Sequence, residues 1–178
     1  MDAEFIDLTP ENIEDEHLCC IIRTKKGHPG IEDARAHGRS GVCMLGAEKQ
    51  KAWLSDQSFA KKFGFTAVDR TDNGYELLAL SFDGSIPRFA AGAKQMTVDA
   101  KGLTVYYDLQ CPYIPQRVEK LREHCALNGI PAQFILVDSL EKAKALPCVF
   151  NNWAVFYDGK FVTVNQIDAA RLEKLIKR

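Results

Sequence analysis

A strand-forming stretch, Leu103 to Tyr113, that runs directly into a cysteine and a helix constrains the fold of this chain most. Thr104 to Tyr107 are β-branched or aromatic, which favours a half-buried strand. Cys111 and Pro112 follow at once, and from Gln116 onward apolar residues recur at helical spacing. Proline fits the first turn of a helix, because the N–H that it lacks has no intrahelical partner there. The pattern therefore places the Cys111 sulfur near a helix N-terminus, where the helix dipole stabilises a thiolate.

The residues after this helix predict further strands and helices. In chain order these are a strand at 132–137, a helix at 140–146, a strand at 149–157, a strand at 160–164 and a helix at 169–177. Asp158-Gly159 is typical of a two-residue hairpin turn, and Asp168 is a suitable N-cap for the last helix. Because a helix connects the first two strands, we expect them to be parallel.

This order of elements resembles a thioredoxin-like fold. Cys111-Pro112-Tyr113 is similar to the first three residues of the glutaredoxin Cys-Pro-Tyr-Cys site, and Pro147 falls where that fold carries a cis-proline facing the cysteine. Ile114 stands at the fourth position, so the local second thiol that resolves a mixed disulfide is missing. Cys148 is the candidate replacement in this half. The resemblance implies a redox or substrate pocket at Pro112, Tyr113, Pro147 and Cys148.

Two interpretations of Cys111 remain open at this point. In the first, it is the catalytic residue of a monothiol redox module or the centre of a ligand-binding module. In the second, Cys111 is a remnant of the fold and Cys148 is a buried apolar residue. The neighbouring aromatic residues Tyr106, Tyr107 and Trp153 either line a pocket or belong to the core.

Charge and cysteine usage argue against several classes of function. The net charge of −1, from 23 basic and 24 acidic residues, provides no electrostatic footprint for nucleic acid. No apolar run reaches the length of a membrane span, and no basic segment with an apolar core marks a signal peptide. The six cysteines lack the short paired spacings of zinc sites, so we expect no metal and free thiols in a cytoplasmic compartment.

The N-terminal half predicts a second α/β unit. Its elements are a strand at 18–22, a helix end at 31–37, a strand at 41–46, a helix at 47–63, and strands at 65–69 and 75–82. Gly38 is expected to close the first helix, and a turn over 71–74 to join the last two strands. His28, in a loop, is either a ligand or base or a solvated side chain.

The end of this half is similar to the C-terminal part of a GNAT acetyltransferase. The segment Phe59–Phe65 matches the family pattern at Phe59, Lys62, Gly64 and Phe65. The resemblance implies acetyl transfer from acetyl-CoA to a primary amine. It places Ser58, Phe59 and Lys62 beside the cofactor, although helix packing and a solvated lysine are the favoured explanation of these residues in this chain.

Two parts of that chemistry are missing from the sequence. Ala60 stands where the family usually carries its proton-donating tyrosine. No glycine-rich pyrophosphate loop precedes a helix, since Gly38-Arg39-Ser40-Gly41 is followed by a strand.

The whole arrangement resembles the YoaP-type proteins, in which a GNAT acetyltransferase domain precedes a thioredoxin-like domain. The stretches that carry the resemblance are Ile6–Thr9, Cys19–Ile21, Gly27–Gly30, Ala52–Asp56, Asn73–Leu78, Cys111–Tyr113 and Leu146–Trp153. The resemblance implies a partial GNAT-like domain at 1–83, a linker at 84–97 and a thioredoxin-like domain at 98–178, with the central acetyl-CoA-binding part deleted near Ile31. Because such a deletion exposes sheet edges, we expect a homodimer through that edge, and an amine or thiol as substrate.

Overall fold

The computed structural model describes residues 29–49, 54 and 57–177, and it divides into two compact units. The first unit ends at Phe89 and the second begins at Ala90, a break that falls inside the linker predicted at 84–97. Both units combine helices with a β-sheet, so the predicted α/β class is confirmed. The strand predicted at 18–22 and the loop residue His28 lie outside the described residues.

In its described residues, the first unit has a three-stranded antiparallel sheet accompanied by two helices. Its elements are α1 (Pro29–Ala36), β1 (Gly41–Ala47), α2 (Ser58–Lys62), β2 (Thr66–Arg70) and β3 (Tyr75–Ser81). The strand order is β1-β3-β2, and both outer strands run antiparallel to β3. Residues 75–79 of β3 are buried, as expected for a central strand. Leu78 packs in the core of this unit with Ala60 and Phe65.

The helix predicted at 47–63 is wrong over its first residues. Ala47 is the last residue of β1 and pairs with Tyr75, and the Glu48 N–H donates to the Gly74 carbonyl at 3.2 Å. The Gln57 side-chain amide also donates to the Ala47 carbonyl oxygen. These partners satisfy the backbone at the strand end, so Ala47 belongs to β1. α2 covers Ser58–Lys62, and residues 50–53, 55 and 56 of the predicted helix lie outside the described residues.

The second unit is a four-stranded mixed sheet with three helices. Its elements are β4 (Leu103–Tyr107), α3 (Ile114–Leu127), β5 (Ala132–Leu136), α4 (Leu140–Lys144), β6 (Trp153–Tyr157), β7 (Lys160–Thr163) and α5 (Ala169–Ile176), after a short 3-10 helix at Ala91–Lys94. The strand order is β5-β4-β6-β7. β4 and β5 are parallel, as predicted, and the other neighbours are antiparallel.

Two local predictions in this unit are confirmed by backbone geometry. Asp158 and Gly159 have φ values of 44° and 80°, the positive values that a tight hairpin turn of this kind requires. The Asp168 carboxylate accepts a hydrogen bond from the Arg171 backbone N–H at 2.8 Å, which caps α5.

Three other predictions in this unit are corrected. The strand predicted from 149 begins at Trp153, because the Asn151 Oδ1 accepts from the N–H groups of Asn152 and Trp153 and holds a turn there. α3 begins at Ile114, two residues earlier than its apolar spacing indicated. No cis peptide bond occurs in the described residues, so the cis-proline expected at Pro147 is wrong.

The core of the second unit lies between the sheet and helices α3 and α5. Leu103, Val105 and Tyr107 alternate along β4 and therefore share one face of the sheet. That face packs against buried residues of α3, of α5 and the loop before it, and of the strand next to β4: Ile114, Val118, Leu121, Cys125, Trp153, Val155, Ile167 and Leu172. The carboxyl end of β4, from which the Cys111 loop departs, is thus anchored in the core.

The residues from Ala90 to Thr97 pair within the second unit. The Met96 N–H donates to the Pro147 carbonyl at 2.8 Å, and Thr97 forms an isolated bridge with Lys160. This part of the predicted linker is therefore hydrogen-bonded to the sheet and to the loop before β6.

Candidate functional site

Cys111 lies in the loop between β4 and α3, three residues before the first helical residue. Its backbone carbonyl accepts from the Ile114 N–H at 3.0 Å, which fixes the loop to the start of α3. The side chain is half-buried and packs against the core cluster of the second unit. Ile114, at the fourth position of the motif, is completely buried in that cluster. The thiol therefore lies on a rigid base while part of it reaches solvent.

The Cys111 sulfur has a polar partner from a distant part of the chain. The Gln166 side-chain amide Nε2 donates to Sγ at 3.8 Å, from the loop between β7 and α5. No sequence motif marks Gln166, because the two residues are 55 positions apart and meet only through the fold. An amide N–H at this position stabilises a thiolate more than a neutral thiol, because the donated hydrogen bond is stronger to a charged acceptor.

A buried carboxylate, Asp108, stands at the start of the same loop. Its Oδ1 accepts from the Gln110 N–H at 3.0 Å, and its own N–H donates to the Asn152 carbonyl at 3.2 Å. Burial raises the pKa of the Asp108 carboxyl, and the hydrogen bond from Gln110 opposes that shift. Sequence reasoning missed Asp108, although an acidic residue directly after a buried strand is a usable signal.

Cys148, the candidate second thiol, lies in a different environment. It is buried, and burial raises the pKa of its thiol to about 12. It lies close enough to Tyr106 to contribute to the raised pKa of that phenol, whereas Cys111 packs with the cluster that includes Tyr107. Both are free thiols, and a Cys111–Cys148 pair stays a prediction.

The aromatic residues near the loop belong to the core. Tyr107 is buried, and Trp153 is 0% exposed in the same cluster. Tyr106 is half-buried and contacts Phe156 edge to face, with ring centroids 5.8 Å apart. The Trp153 Nε1 has no hydrogen-bond partner among the described residues. The core interpretation of these residues therefore holds, with one unsatisfied indole N–H.

The outer side of the Cys111 loop is apolar and open to solvent. Leu109 is 58% exposed and Tyr113 is 72% exposed, and Pro112 between them in sequence is also exposed. We call Leu109, Pro112 and Tyr113 the apolar rim. Pro147 is buried beside Cys148 and does not share this exposure.

The residues proposed to neighbour acetyl-CoA lie on α2 in the first unit. Ser58, Phe59 and Lys62 are all exposed, and the Phe59 ring contacts Phe63 edge to face at 5.0 Å between centroids. Ala60, where the GNAT family usually carries its tyrosine, is buried in the core of this unit. α2 therefore presents polar and charged side chains outward and its alanine inward.

Two kinds of feature are absent from the residues that the structure describes. No group of three or more histidine, cysteine or acidic side chains is arranged to hold a metal ion. No described helix is long and apolar enough to cross a membrane.

Part of the second unit matches a known protein family. Residues 131–174, which extend from before β5 into α5, match the family model described as YoaP-like. A relative from Bacillus subtilis (strain 168), named "Uncharacterized N-acetyltransferase YoaP", is 34% identical over 148 residues. The predicted YoaP-type resemblance is confirmed. The matched residues include Gln166, and Cys111 lies before them in the chain.

The match to the YoaP relative covers part of that protein. The aligned part is 82% of this chain and 59% of the YoaP relative, so the chain spans less than two thirds of that protein. No solved structure matches the chain. The likeness to an N-acetyltransferase is therefore established for the aligned part.

Proposed function

We propose that this chain functions in N-acetyl transfer, with acetyl-CoA as the donor and a small primary amine as the acceptor. The observation that carries the proposal is the 34% identity over 148 residues to a relative named as an N-acetyltransferase. The first unit supports it with the GNAT-like order of strand, helix and two antiparallel strands, β1, α2, β2 and β3.

The described residues match the negative charge of acetyl-CoA, but they lack the usual cradle for its pyrophosphate. Lys61 and Lys62 are exposed in the last turn of α2 and supply cations for an anionic cofactor. A helix N-terminus that follows a glycine-rich loop, the usual cradle for a pyrophosphate, is not found in the described part of the chain. Ala60 is buried and supplies no proton. Support for acetyl-CoA binding therefore comes from the positive charge of α2.

A binding titration with matched variants tests this proposal. Isothermal titration of the full chain with acetyl-CoA should give saturable heat. Replacing Lys61 and Lys62 together with alanine should weaken binding by about fivefold to twentyfold, because an exposed charge pair contributes roughly 1 kcal/mol per contact. Replacing Lys144, on α4 of the second unit, by alanine controls for loss of general positive charge. Equal affinity for the α2 variant and the Lys144 control would contradict the proposed site.

A second function is favoured by the geometry of the second unit. We propose that Cys111 acts as a single exchanging thiol. The supporting observation is the hydrogen bond from Gln166 Nε2 to the half-buried Cys111 Sγ. In the exchange, the Cys111 thiolate attacks a disulfide R–S–S–R′, the S–S bond breaks, and R′–S⁻ leaves and takes up a proton from water. An external thiol then releases R from Cys111 by the same exchange, because Ile114 replaces a local second cysteine.

Alkylation of the native chain tests the thiol function. A chain whose Cys19, Cys20 and Cys43 are replaced by serine leaves Cys111 with two buried cysteines, Cys125 and Cys148. Iodoacetamide should label Cys111 at least tenfold faster than either buried cysteine, because Cys111 is the partly exposed thiol of the three. Labelling of Cys111 no faster than of Cys125 and Cys148 would contradict a reactive thiol.

A further inference from the structure

We propose that residues 91–98 form a strap that opens without unfolding of the second unit and controls the access of solvent to the loop at 146–149. This device is independent of both proposed functions. It is built from the backbone contacts of the segment, its exposed side chains and the left-handed conformation of Met96. Cys148, inside that loop, serves as its chemical reporter.

The loop at 146–149 is buried although it forms neither a helix nor a strand. Leu146, Pro147, Cys148 and Val149 are buried one after another. Connecting segments usually run over the surface of a protein, because their backbone polar groups need water or another partner. A buried loop therefore needs a neighbouring segment that supplies hydrogen bonds to its backbone.

The strap supplies such contacts to this loop. The Met96 N–H donates to the Pro147 carbonyl at 2.8 Å. Gly92 approaches the loop so closely that a Cβ atom on it would lie 3.0 Å from the Leu146 carbonyl oxygen. The strap therefore lies directly against the backbone of the buried loop at two points.

The strap is also attached to the hairpin that β6 and β7 form. The Phe161 N–H, on β7, donates to the Met96 carbonyl at 3.1 Å. The Val98 N–H donates to the Gly159 carbonyl in the turn at 2.9 Å. Both backbone polar groups of Met96 are thus bonded, one to the loop and the other to β7, so Met96 is the residue through which the strap joins them.

The side chains of the strap contribute little burial. None of residues 90–98, all of which the structure describes, is fully buried. The 3-10 helix at Ala91–Lys94 within it likewise has no buried residue. Segments with few buried apolar contacts open at a lower free-energy cost than the core to which they are attached. The strap therefore has the properties of a locally opening element.

The conformation of Met96 favours opening further. Its φ is 58°, in the left-handed region that residues with a side chain rarely adopt. Such a conformation persists where the surrounding contacts hold it, and the two backbone hydrogen bonds of Met96 are contacts of that kind. Because opening releases this strain, the strain lowers the free-energy difference between the closed and the open strap.

Cys148 and Cys125 together distinguish local opening from global unfolding. Burial raises the pKa of the Cys148 thiol to about 12, whereas a thiol in water has a pKa of about 8.5. An open strap should therefore make Cys148 reactive. Cys125 is buried on α3 in the core cluster, so its labelling reports unfolding of the whole unit.

Hydrogen exchange of the wild-type full chain is the first test. The Met96 and Val98 amides, both bonded through the strap, should exchange at least tenfold faster than the amides of β4, as resolved by nuclear magnetic resonance. Exchange of these two amides as slow as that of β4 would overturn the strap, because the segment would then open only with the core.

Two variants of Met96 then test the control of access. Met96→Val places a β-branched residue in the left-handed region, and should speed iodoacetamide labelling of Cys148 by about threefold to tenfold. Met96→Gly removes the strain and should slow that labelling. Peptide mass spectrometry reports each cysteine separately. Met44→Val, at an exposed position on β1 of the first unit, is the matched control and should leave the labelling of Cys148 unchanged.

The labelling of Cys125 decides how a change in Cys148 is interpreted. Faster labelling of Cys148 alone in Met96→Val supports the strap, and unchanged labelling of Cys148 in both Met96 variants would overturn it. If Met96→Val speeds both cysteines equally, that variant unfolds the whole unit and Met96→Gly decides. Slower labelling of Cys148 in Met96→Gly then supports the strap, and an unchanged rate overturns it.

Discussion

The carboxylate of Asp108 accepts a hydrogen bond from the backbone N–H of Gln110 at 3.0 Å, inside the loop that carries Cys111. This contact joins a buried acid to the thiol loop and makes the conformation of that loop sensitive to the chemistry of one side chain. Asp108 is 4% exposed, so the surrounding protein disfavours its charge.

Replacement of Asp108 by asparagine should change how stability depends on pH. Because burial raises the folded-state pKa of Asp108 above its unfolded value, its contribution to stability is present below about pH 3.9 and is lost as pH rises through the folded pKa. Asp108→Asn keeps an oxygen for the Gln110 N–H and carries no charge. The variant should therefore gain stability relative to wild type at pH 7, by about 1 kcal/mol, and lose that advantage at pH 4.

Urea unfolding at both pH values measures this effect. Asp99→Asn, at an exposed position before β4, is a suitable control and should leave the pH dependence unchanged. A stability difference between Asp108→Asn and wild type that is the same at pH 4 and pH 7 would show that ionisation of Asp108 is not its cause.

Cys148 should remain unlabelled while the protein is folded. Its thiol has a pKa of about 12 because of burial, so its thiolate is scarce at pH 8 and the side chain is inaccessible. Iodoacetamide at pH 8, followed by peptide mass spectrometry, should modify Cys111 at least tenfold faster than Cys148 in the native chain. The difference should vanish in denaturant, and comparable native labelling of both would contradict the buried placement of Cys148.

The hydrogen bond between His124 and Glu173 should contribute to the packing of α3 against α5. His124 Nε2 and Glu173 Oε1 are 3.0 Å apart and both side chains are partly buried. Glu173→Gln should lower the free energy of unfolding by about 0.5–1 kcal/mol. Glu119→Gln, which removes an exposed partner of Arg122 at 4.0 Å within α3, is the matched control and should have a smaller effect. Equal losses in thermal denaturation would assign no special role to the helix-joining pair.

Arg70 should stabilise the first unit through a buried carboxylate. Its Nη2 lies 3.1 Å from Glu76 Oε1, and the Glu76 side chain is 6% exposed on the central strand β3. Arg70→Ala leaves that carboxylate without this partner and should cost about 1–3 kcal/mol. The double variant Arg70→Ala/Glu76→Gln should recover part of the loss. A double-mutant cycle with no coupling energy would contradict the pairing, and Arg39→Ala, at an exposed position, serves as the control.

Homodimerisation remains a proposal for the first unit. In the described part of the chain, β1 and β2 are the outer strands of the three-stranded sheet, and Met44 on β1 is 40% exposed. An outer strand offers unpaired backbone groups to another chain. Sedimentation of the full chain over a range of concentrations tests it, and a monomer at every concentration would contradict it.

Local chemistry predicted much of the second unit. The Asp158-Gly159 turn and the Asp168 cap each depend on one or two residues, and both occur as expected. The boundaries of the strands were harder to predict, because they depend on contacts between distant segments. Ala47 stays in a strand since Tyr75 pairs with it, and β6 starts late because Asn151 forms a turn.

The candidate site was only partly predictable for the same reason. Cys111 is visible in the sequence because strand, cysteine and helix follow one another directly. Gln166 is not visible, since its amide reaches the sulfur only after β6, β7 and the following loop are folded. The burial of Cys148 likewise depends on tertiary packing, which a sequence alone leaves open.

Calorimetric titration of the full chain with acetyl-CoA tests the central claim most directly. We expect saturable heat with an affinity on the order of micromolar and weaker binding after replacement of Lys61 and Lys62, after which candidate amines can be screened. The absence of saturable heat at millimolar acetyl-CoA, with a chain that shows a cooperative thermal transition, would contradict N-acetyl transfer by this protein.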